Sequence, residues 1–328
     1  LNAQDVSIAF YNSDTLVRKV ARKENNGEIS LLIDDKVVSR WLIKSSKISV
    51  TKEVKQYIAQ NPASVPQKLK DASEIEVSFA ISVNDKGELY KVENAVAYTF
   101  LPTSYGNLGA PFLINANFIT DAGRQQLQQD SEWNKLIFKE APTLYLKWIA
   151  ELSHTYKTYY RVLPSKVAKV SDELTKTFQN ALLQAIEDIA FLPAAKSDSL
   201  LKASEAWIDS VGISEVIGVD KFIKHIETSE QKIFTNYGQI ADAGISILKS
   251  YGVFVFSEDL LPNLFENQYV FSSLSVEQDL KLINFLHEFC NRVNNSEILS
   301  ILSNTPFILD ENGNASKPSQ MFFPSDYR

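Results

Sequence analysis

The hydrophobic period of this chain changes partway along its length, and that change limits what it can fold into. From Ile75 to Val83 apolar and polar residues alternate, so an extended strand there shows one apolar face. After about residue 130 the spacing becomes helical: Trp133, Ile137, Leu144, Trp148 and Leu152 recur at turn-like intervals, with Pro142 as an expected interruption. Strands that come first and helices that come later make an α+β fold with two units.

Local signals fill in that outline. Val6, Ile8 and Phe10 alternate with polar residues, and two strands, Glu28 to Ile33 and Val37 to Ile43, flank the turn Asp34-Asp35-Lys36. Thr51 to Gln60 reads as a short helix stopped by Pro62. Asn84-Asp85-Lys86-Gly87 supplies hairpin chemistry, and the chain returns through Glu88 to Val92. Leu174, Phe178, Leu182, Ile186 and Ile189 form a helical stripe that opens near Ser171-Asp172, a fitting N-cap. Further helices are expected at 198–210, 219–228, 230–249, 275–293 and 296–303. Short strands are expected at 251–256 and 305–310, the second running into the turn Asp310-Glu311-Asn312-Gly313. The expected domains are an α+β unit over 1–160 and a helix-rich unit with short strands over 161–328, divided near Tyr160 to Lys169, where Pro164 breaks the pattern.

Composition removes several function classes. No window approaches 18 uninterrupted apolar residues, so no membrane-spanning helix is expected, and no basic-apolar leader opens the sequence. Residues 1–150 hold 18 Lys+Arg against 17 Asp+Glu, a balance of +1. Residues 151–328 hold 15 against 23, a balance of −8. Neither half carries the basic excess that a phosphate backbone demands, so nucleic-acid binding by this segment is not expected. A single cysteine, Cys290, cannot close an internal disulfide, and its apolar helical setting marks it as a core residue. A reduced chain fits a cytoplasmic location. The chain opens on Leu1 and its only methionine is Met321, from which a piece of a longer protein is expected.

Catalytic constellations are scarce. His154, His225 and His287 lie far apart without metal-ligand spacing, so no metal site is expected. There is no nucleophile elbow, no Walker loop and no dinucleotide fingerprint. Gly106 and Gly109 read as a flexible turn rather than a phosphate cradle. Arg124 stands apart because Thr120, Asp121, Ala122 and Gly123 before it are small or polar, leaving a lone cation at the entrance to a helix. A surface arginine held by Asp121 or Asp130 is the plain alternative.

Around that arginine the motifs run in a distinctive order. Phe100-Leu101-Pro102 is followed by Leu108-Gly109-Ala110-Pro111-Phe112-Leu113-Ile114-Asn115-Ala116-Asn117-Phe118, then Arg124, then Ser131-Glu132-Trp133-Asn134. This series resembles the repeat region of sacsin and of bacterial proteins with the same ATPase-plus-middle arrangement. Arg124, Leu127, Gln128 and Gln129 also resemble the R-x-x-L-Q-Q element in the middle domain of the ninety-kilodalton heat-shock chaperones. The likeness covers roughly residues 95–150, and this chain departs from the chaperone pattern in having Gly123 before the arginine.

The resemblance implies a set of expectations. The fold would be a mixed sheet with helices like a chaperone middle domain, followed by a mostly helical domain. Arg124 would be a cation supplied to the γ-phosphate of ATP bound elsewhere, with Gln128 as its helper and Asn115 and Asn117 completing the nucleotide-facing set. ATP and magnesium would belong to a GHKL-type domain outside these residues, and no cofactor would be bound by this segment itself. Its partners would be its own N-terminal ATPase domain and protein clients. A different class remains open: an interaction scaffold with no link to a nucleotide, suggested by the acidic second half. A stand-alone hydrolase is disfavoured.

Overall fold

The computed structural model describes residues 6–321 except 26, 64, 107, 168, 171, 227–231, 237–239, 241, 272–273, 293–295 and 311. The chain divides into two compact units, Leu1–Phe191 and Leu192–Arg328. The division lies beyond the expected boundary at Tyr160 to Lys169 because the helix after Pro164 packs with the first unit: Phe178 meets Phe138 edge-on at 6.4 Å.

The first unit opens as a run of antiparallel neighbours: β1 (Val6–Asn12), β2 (Thr15–Asn25), β3 (Glu28–Ile33) and β4 (Lys36–Ser49). Asp34 and Asp35 both take positive φ (50° and 62°), which makes the tight turn between β3 and β4. Helices α1 (Lys52–Gln60) and α2 (Gln67–Lys70) follow, then β5 (Glu74–Val83), β6 (Leu89–Tyr90), β7 (Ala97–Thr99), β8 (Leu101–Pro102) and β9 (Leu113–Ala116). Helices α3 (Glu132–Ser153) and α4 (Glu173–Asp188) complete the unit. The sheet order is β1-β2-β3-β4-β5-β9-β7-β8, with β6 also on β5. Among the described residues of this sheet β7 and β9 pair in parallel and the other neighbours antiparallel, so the sheet is mixed and the fold is α+β.

Period-two alternation on β5 decides where the core lies. Ile75, Val77, Phe79 and Ile81 are fully buried on one face. Phe79 meets Phe112 and Tyr145 edge-on at 5.5 Å, and Phe112 stacks on Tyr145 at 3.7 Å. Each such side chain contributes about 1.5–3 kcal/mol by leaving water, which fixes α3 across β5 and β9. The Tyr145 hydroxyl satisfies itself by donating to the Val162 carbonyl at 2.7 Å.

Pro142 does not interrupt the helix, contrary to expectation: α3 runs unbroken past it. A helix-interior proline costs about 3 kcal/mol. Phe138, Ala141, Tyr145 and Leu146 around it are all completely buried, and that burial outweighs the lost hydrogen bond.

The second unit contains β10 (Leu192–Pro193), β11 (Leu200–Leu201), β12 (Ala206–Asp209), α5 (Ile213–Ile217), α6 (Val219–Ile226), β13 (Lys232–Asn236), α7 (Asp242–Tyr251) and β14 (Phe254–Phe256). It continues with α8 (Leu261–Glu266), α9 (Gln268–Phe271), α10 (Val276–Arg292), α11 (Ser296–Asn304), β15 (Ile308–Leu309) and β16 (Ala315–Ser316). The helices expected at 219–228, 275–293 and 296–303 are present, although 227–228 and 293 lie outside the described residues. The one expected at 230–249 is present only from Asp242, as α7, with β13 before it, and 198–210 forms no α-helix; 230–231, 237–239 and 241 lie outside the described residues. β12 lies between β13 and β14, parallel to both. Strands of parallel sheets are buried on both faces and lose the alternation that identifies them, as Ala206, Ile208 and Asp209 show by being fully buried.

At the C-terminal end of β12 the Asp209 carboxylate accepts from the amides of Val211 (3.0 Å), Gly212 (3.0 Å) and Ser214 (2.6 Å). Gly212 takes φ +84° to bring these donors round. Buried donors left without an acceptor cost about 1–3 kcal/mol each. Asp209→Ala should therefore destabilise the chain by about 3 kcal/mol in urea unfolding, with Asp209→Asn falling between it and the parent; equal stability of all three would rule out this role for the carboxylate.

Candidate functional site

Arg124 occupies the tip of a loop between β9 and α3, not the start of a helix. The loop closes on itself through an antiparallel bridge between Thr120 and Leu127. The Gln128 amide donates to the Ile119 carbonyl at 3.0 Å, and the Asp121 amide to the Gln126 carbonyl at 2.9 Å. Asp121 templates the turn: its Oδ1 accepts from the amides of Gln125 (3.0 Å) and Gln126 (3.3 Å), and its carbonyl accepts from the Arg124 amide at 3.1 Å. The Gln125 carbonyl in turn accepts from the Ser104 amide at 2.8 Å, tying the loop to the segment after β8.

The loop is anchored from beneath by α3. Ser131 caps that helix through the Asn134 amide, and Glu132 lies in its first turn. Trp133 Nε1 donates to the Asn117 carbonyl at 2.9 Å. The Asn134 side chain is fully buried and spans both stems of the loop. Its Oδ1 accepts from the Ile119 amide at 2.9 Å, while its Nδ2 donates to the Ile119 carbonyl at 2.7 Å and to the Gln128 carbonyl at 3.0 Å. Trp133 and Asn134 thus fix the position of the loop rather than line a site.

Arg124 takes φ +57°, a left-handed conformation that costs a residue with a Cβ about 1–2 kcal/mol. Its side chain is exposed and makes no hydrogen bond or ion pair among the described residues. The plain alternative, a guanidinium held by Asp121 or Asp130, does not occur: the Asp121 carboxylate faces the loop amides. An unpaired cation on a closed, strained loop can meet an anion with little rearrangement.

The other expected residues are placed differently. Gln128 is half-buried, and its Nε2 donates to the Thr120 carbonyl at 3.1 Å, so this amide holds the loop base. Asn115 lies on β9, beside the β7–β8 hairpin, and Asn117 just after β9. Asn115 Oδ1 accepts from the Phe100 amide at 3.2 Å, and Asn117 Oδ1 from Lys68 Nζ at 3.2 Å. Lys68 Nζ also lies 4.6 Å from the centre of the Phe100 ring. Among the described residues no hydrogen bond joins Asn115 or Asn117 to Arg124. Sequence reasoning names Asp121 only as a possible partner of Arg124 and misses its role in templating the turn; it also misses the exposure of the hairpin tip, where Phe100 (φ +66°) and Leu101 are 74% and 67% exposed. The Asp-x-Gly spacing of 121–123 was the available signal for an Asx turn.

A cavity of about 510 Å³ in the first unit lies elsewhere and includes none of these four residues. Gly106, Gly109, Lys91, Lys169, Asp172 and Thr175 are among its lining. Gly109 is not a flexible turn: at φ +71° a Cβ there would stand 2.6 Å from the Ser165 carbonyl oxygen, so the chain crosses itself tightly. Tyr105 donates to Asp172 Oδ1 at 2.5 Å; burial first, and the neighbouring carboxylate second, push its hydroxyl well above the ordinary range and keep it a donor. No group of three His, Cys, Asp or Glu among the described residues is arranged to hold a metal ion, and no described helix is long and apolar enough to cross a membrane.

Comparison with known proteins gives no match to a family, to a curated protein or to a solved structure.

Removing the Asn134 clamp tests this construction. Asn134→Ala should cost about 2–4 kcal/mol of stability, because it strands buried Ile119 and Gln128 groups. It should also speed amide exchange across 119–128. Unchanged exchange there would show that the loop does not depend on it.

Proposed function

We propose that this chain is the middle segment of a GHKL-type ATPase, coupling ATP binding or hydrolysis in a separate domain to conformational change and to partner or client binding. The observation that carries this reading is the Arg124 side chain: exposed, unpaired, and held at the tip of a loop closed by Asp121 and pinned by Asn134. A transferring phosphoryl group spreads negative charge over its equatorial oxygens, and an arginine aimed at them needs no partner of its own beforehand. The residues fit that task in charge and presentation, and the resemblance of the ordered motifs points the same way. Gln128 acts here as a positioning residue, since its amide supports the loop that presents Arg124. ATP with its magnesium, bound in the other domain, would supply the reacting phosphoryl group.

A scaffold without a nucleotide draws on a different observation, the exposed Phe100 and Leu101 at the hairpin tip. One experiment separates the two readings. With the ATP-binding domain joined to this chain, Arg124→Ala should lower ATP turnover about 10³-fold or more, the range of a supplied arginine. Arg124→Lys should recover only part of the loss, because an ammonium lacks the two-pronged donor. Arg124→Gly should match Ala in turnover yet be no less stable than the parent, because it relieves the left-handed strain. Turnover unaffected by Arg124→Ala would remove the nucleotide role and leave the scaffold.

A further inference from the structure

Asn134 holds the Arg124 loop from α3, and a second set of bonds ties the same loop to α4. One branch begins beside Arg124, where the Gln125 carbonyl accepts from the Ser104 amide at 2.8 Å. Both neighbours of Ser104 are fixed to β7. The Thr103 amide donates to the Ala97 carbonyl at 3.0 Å, and the Ala97 amide to the Tyr105 carbonyl at 2.8 Å. Tyr105 then turns its ring inward, buried, with its centre 5.7 Å from that of Phe138. Its hydroxyl reaches the first turn of α4, donating to Asp172 Oδ1 at 2.5 Å and lying 2.8 Å from Thr175 Oγ1.

The other branch begins at the far stem of the loop. Gln129 Nε2 donates to the Leu127 carbonyl at 3.5 Å, and its Oε1 accepts from the Leu174 amide at 3.1 Å. The same side chain also hydrogen-bonds the Tyr105 hydroxyl, so the two branches meet. A phenol has one proton and can accept from two donors. The proton goes to Asp172, which leaves Thr175 and Gln129 as donors and fills the hydroxyl completely. Asp172 Oδ1 accepts from the Thr175 amide as well, at 2.9 Å. The atom that caps α4 is therefore the atom that holds the loop.

This ring of bonds is not needed to close the loop, because the Thr120–Leu127 bridge and Asn134 already do so. What it adds is a fixed position of the loop relative to α4. Buried hydrogen bonds are costly to leave unmade, so the two elements keep their register or break the ring together. α4 is also the last helix of the first unit, which the chain leaves at Phe191.

We propose that the first turn of α4 is coupled to the Arg124 loop, with Tyr105 and Gln129 as positioning residues, so that a change at either end is felt at the other. The coupling stands on these bonds, and its consequence for ATP rests on the function proposed for Arg124.

The test starts with hydrogen exchange on the 328-residue chain. Tyr105→Phe removes one hydroxyl and keeps the ring. Exchange should speed about tenfold both across 119–128 and at 174–176. Asp172→Ala, made on the helix side, should speed exchange across 119–128 while the far-ultraviolet circular dichroism stays that of the parent. Tyr145→Phe, which also removes a buried hydroxyl from this unit, should leave both segments unchanged. With the ATP-binding domain joined, Tyr105→Phe and Gln129→Ala should each lower kcat about tenfold without changing KM for ATP, because the nucleotide is held elsewhere and only the arginine is displaced. The proposal is overturned if Tyr105→Phe alters only one of the two segments or neither, or if Tyr145→Phe speeds both equally. It is also overturned if kcat survives Tyr105→Phe and Gln129→Ala but falls with Arg124→Ala. Should Arg124→Ala leave kcat intact, the function proposed for Arg124 fails, and the exchange data alone decide the coupling.

Discussion

One buried amide organises the loop on which the proposed function rests. A loop between a strand and a helix has few regular hydrogen bonds of its own, and its stems drift unless something spans them. Asn134 does so from the first turn of α3, matching the amide and carbonyl of Ile119 and the carbonyl of Gln128 in one fully buried side chain. Its helix is in turn fixed by the rings of Phe79, Phe112 and Tyr145. Aromatic packing therefore places α3, α3 places Asn134, and Asn134 places the loop whose tip is Arg124. Strain at that tip is tolerated because the rest of the loop is over-determined.

The same logic separates the residues that hold from the residues that reach. Gln128, Asp121, Trp133 and Asn134 all direct their polar atoms at backbone groups of the loop or its stems. Arg124 alone among them points a charged group at no described neighbour. The buried or half-buried amides have their hydrogen bonds filled within the fold, whereas the exposed Arg124 side chain is open to solvent, as the proposed function requires.

How much of this was legible in the sequence depended on whether a residue's role was local. The period-two alternation of 75–83 identifies β5, the stop at Pro62 marks the end of α1, and the cap at Asp172 identifies α4, because each signal acts within a few residues. The α+β class followed from those signals. Pro142 misled because the local cost of proline is visible in sequence while the burial of its neighbours is not. The parallel strand β12 is hidden because a strand buried on both faces loses alternation, and short apolar runs such as Trp207-Ile208 are equally compatible with a helix. At the site, Arg124 was singled out from its small and polar neighbours. The roles of Gln128, Asn115 and Asn117 depended on partners far along the chain, such as Lys68, and no spacing rule announces those.

In the proposed function the Arg124 guanidinium meets the γ-phosphate of a nucleotide carried by another domain. Phenylglyoxal modification read by mass spectrometry reports on it directly, since an exposed, unpaired arginine reacts readily. In the assembled ATPase, a non-hydrolysable ATP analogue should shield Arg124 while ADP leaves it reactive, with Arg18 as the unshielded reference. Equal modification of Arg124 in the analogue-bound and ADP-bound states would contradict the account.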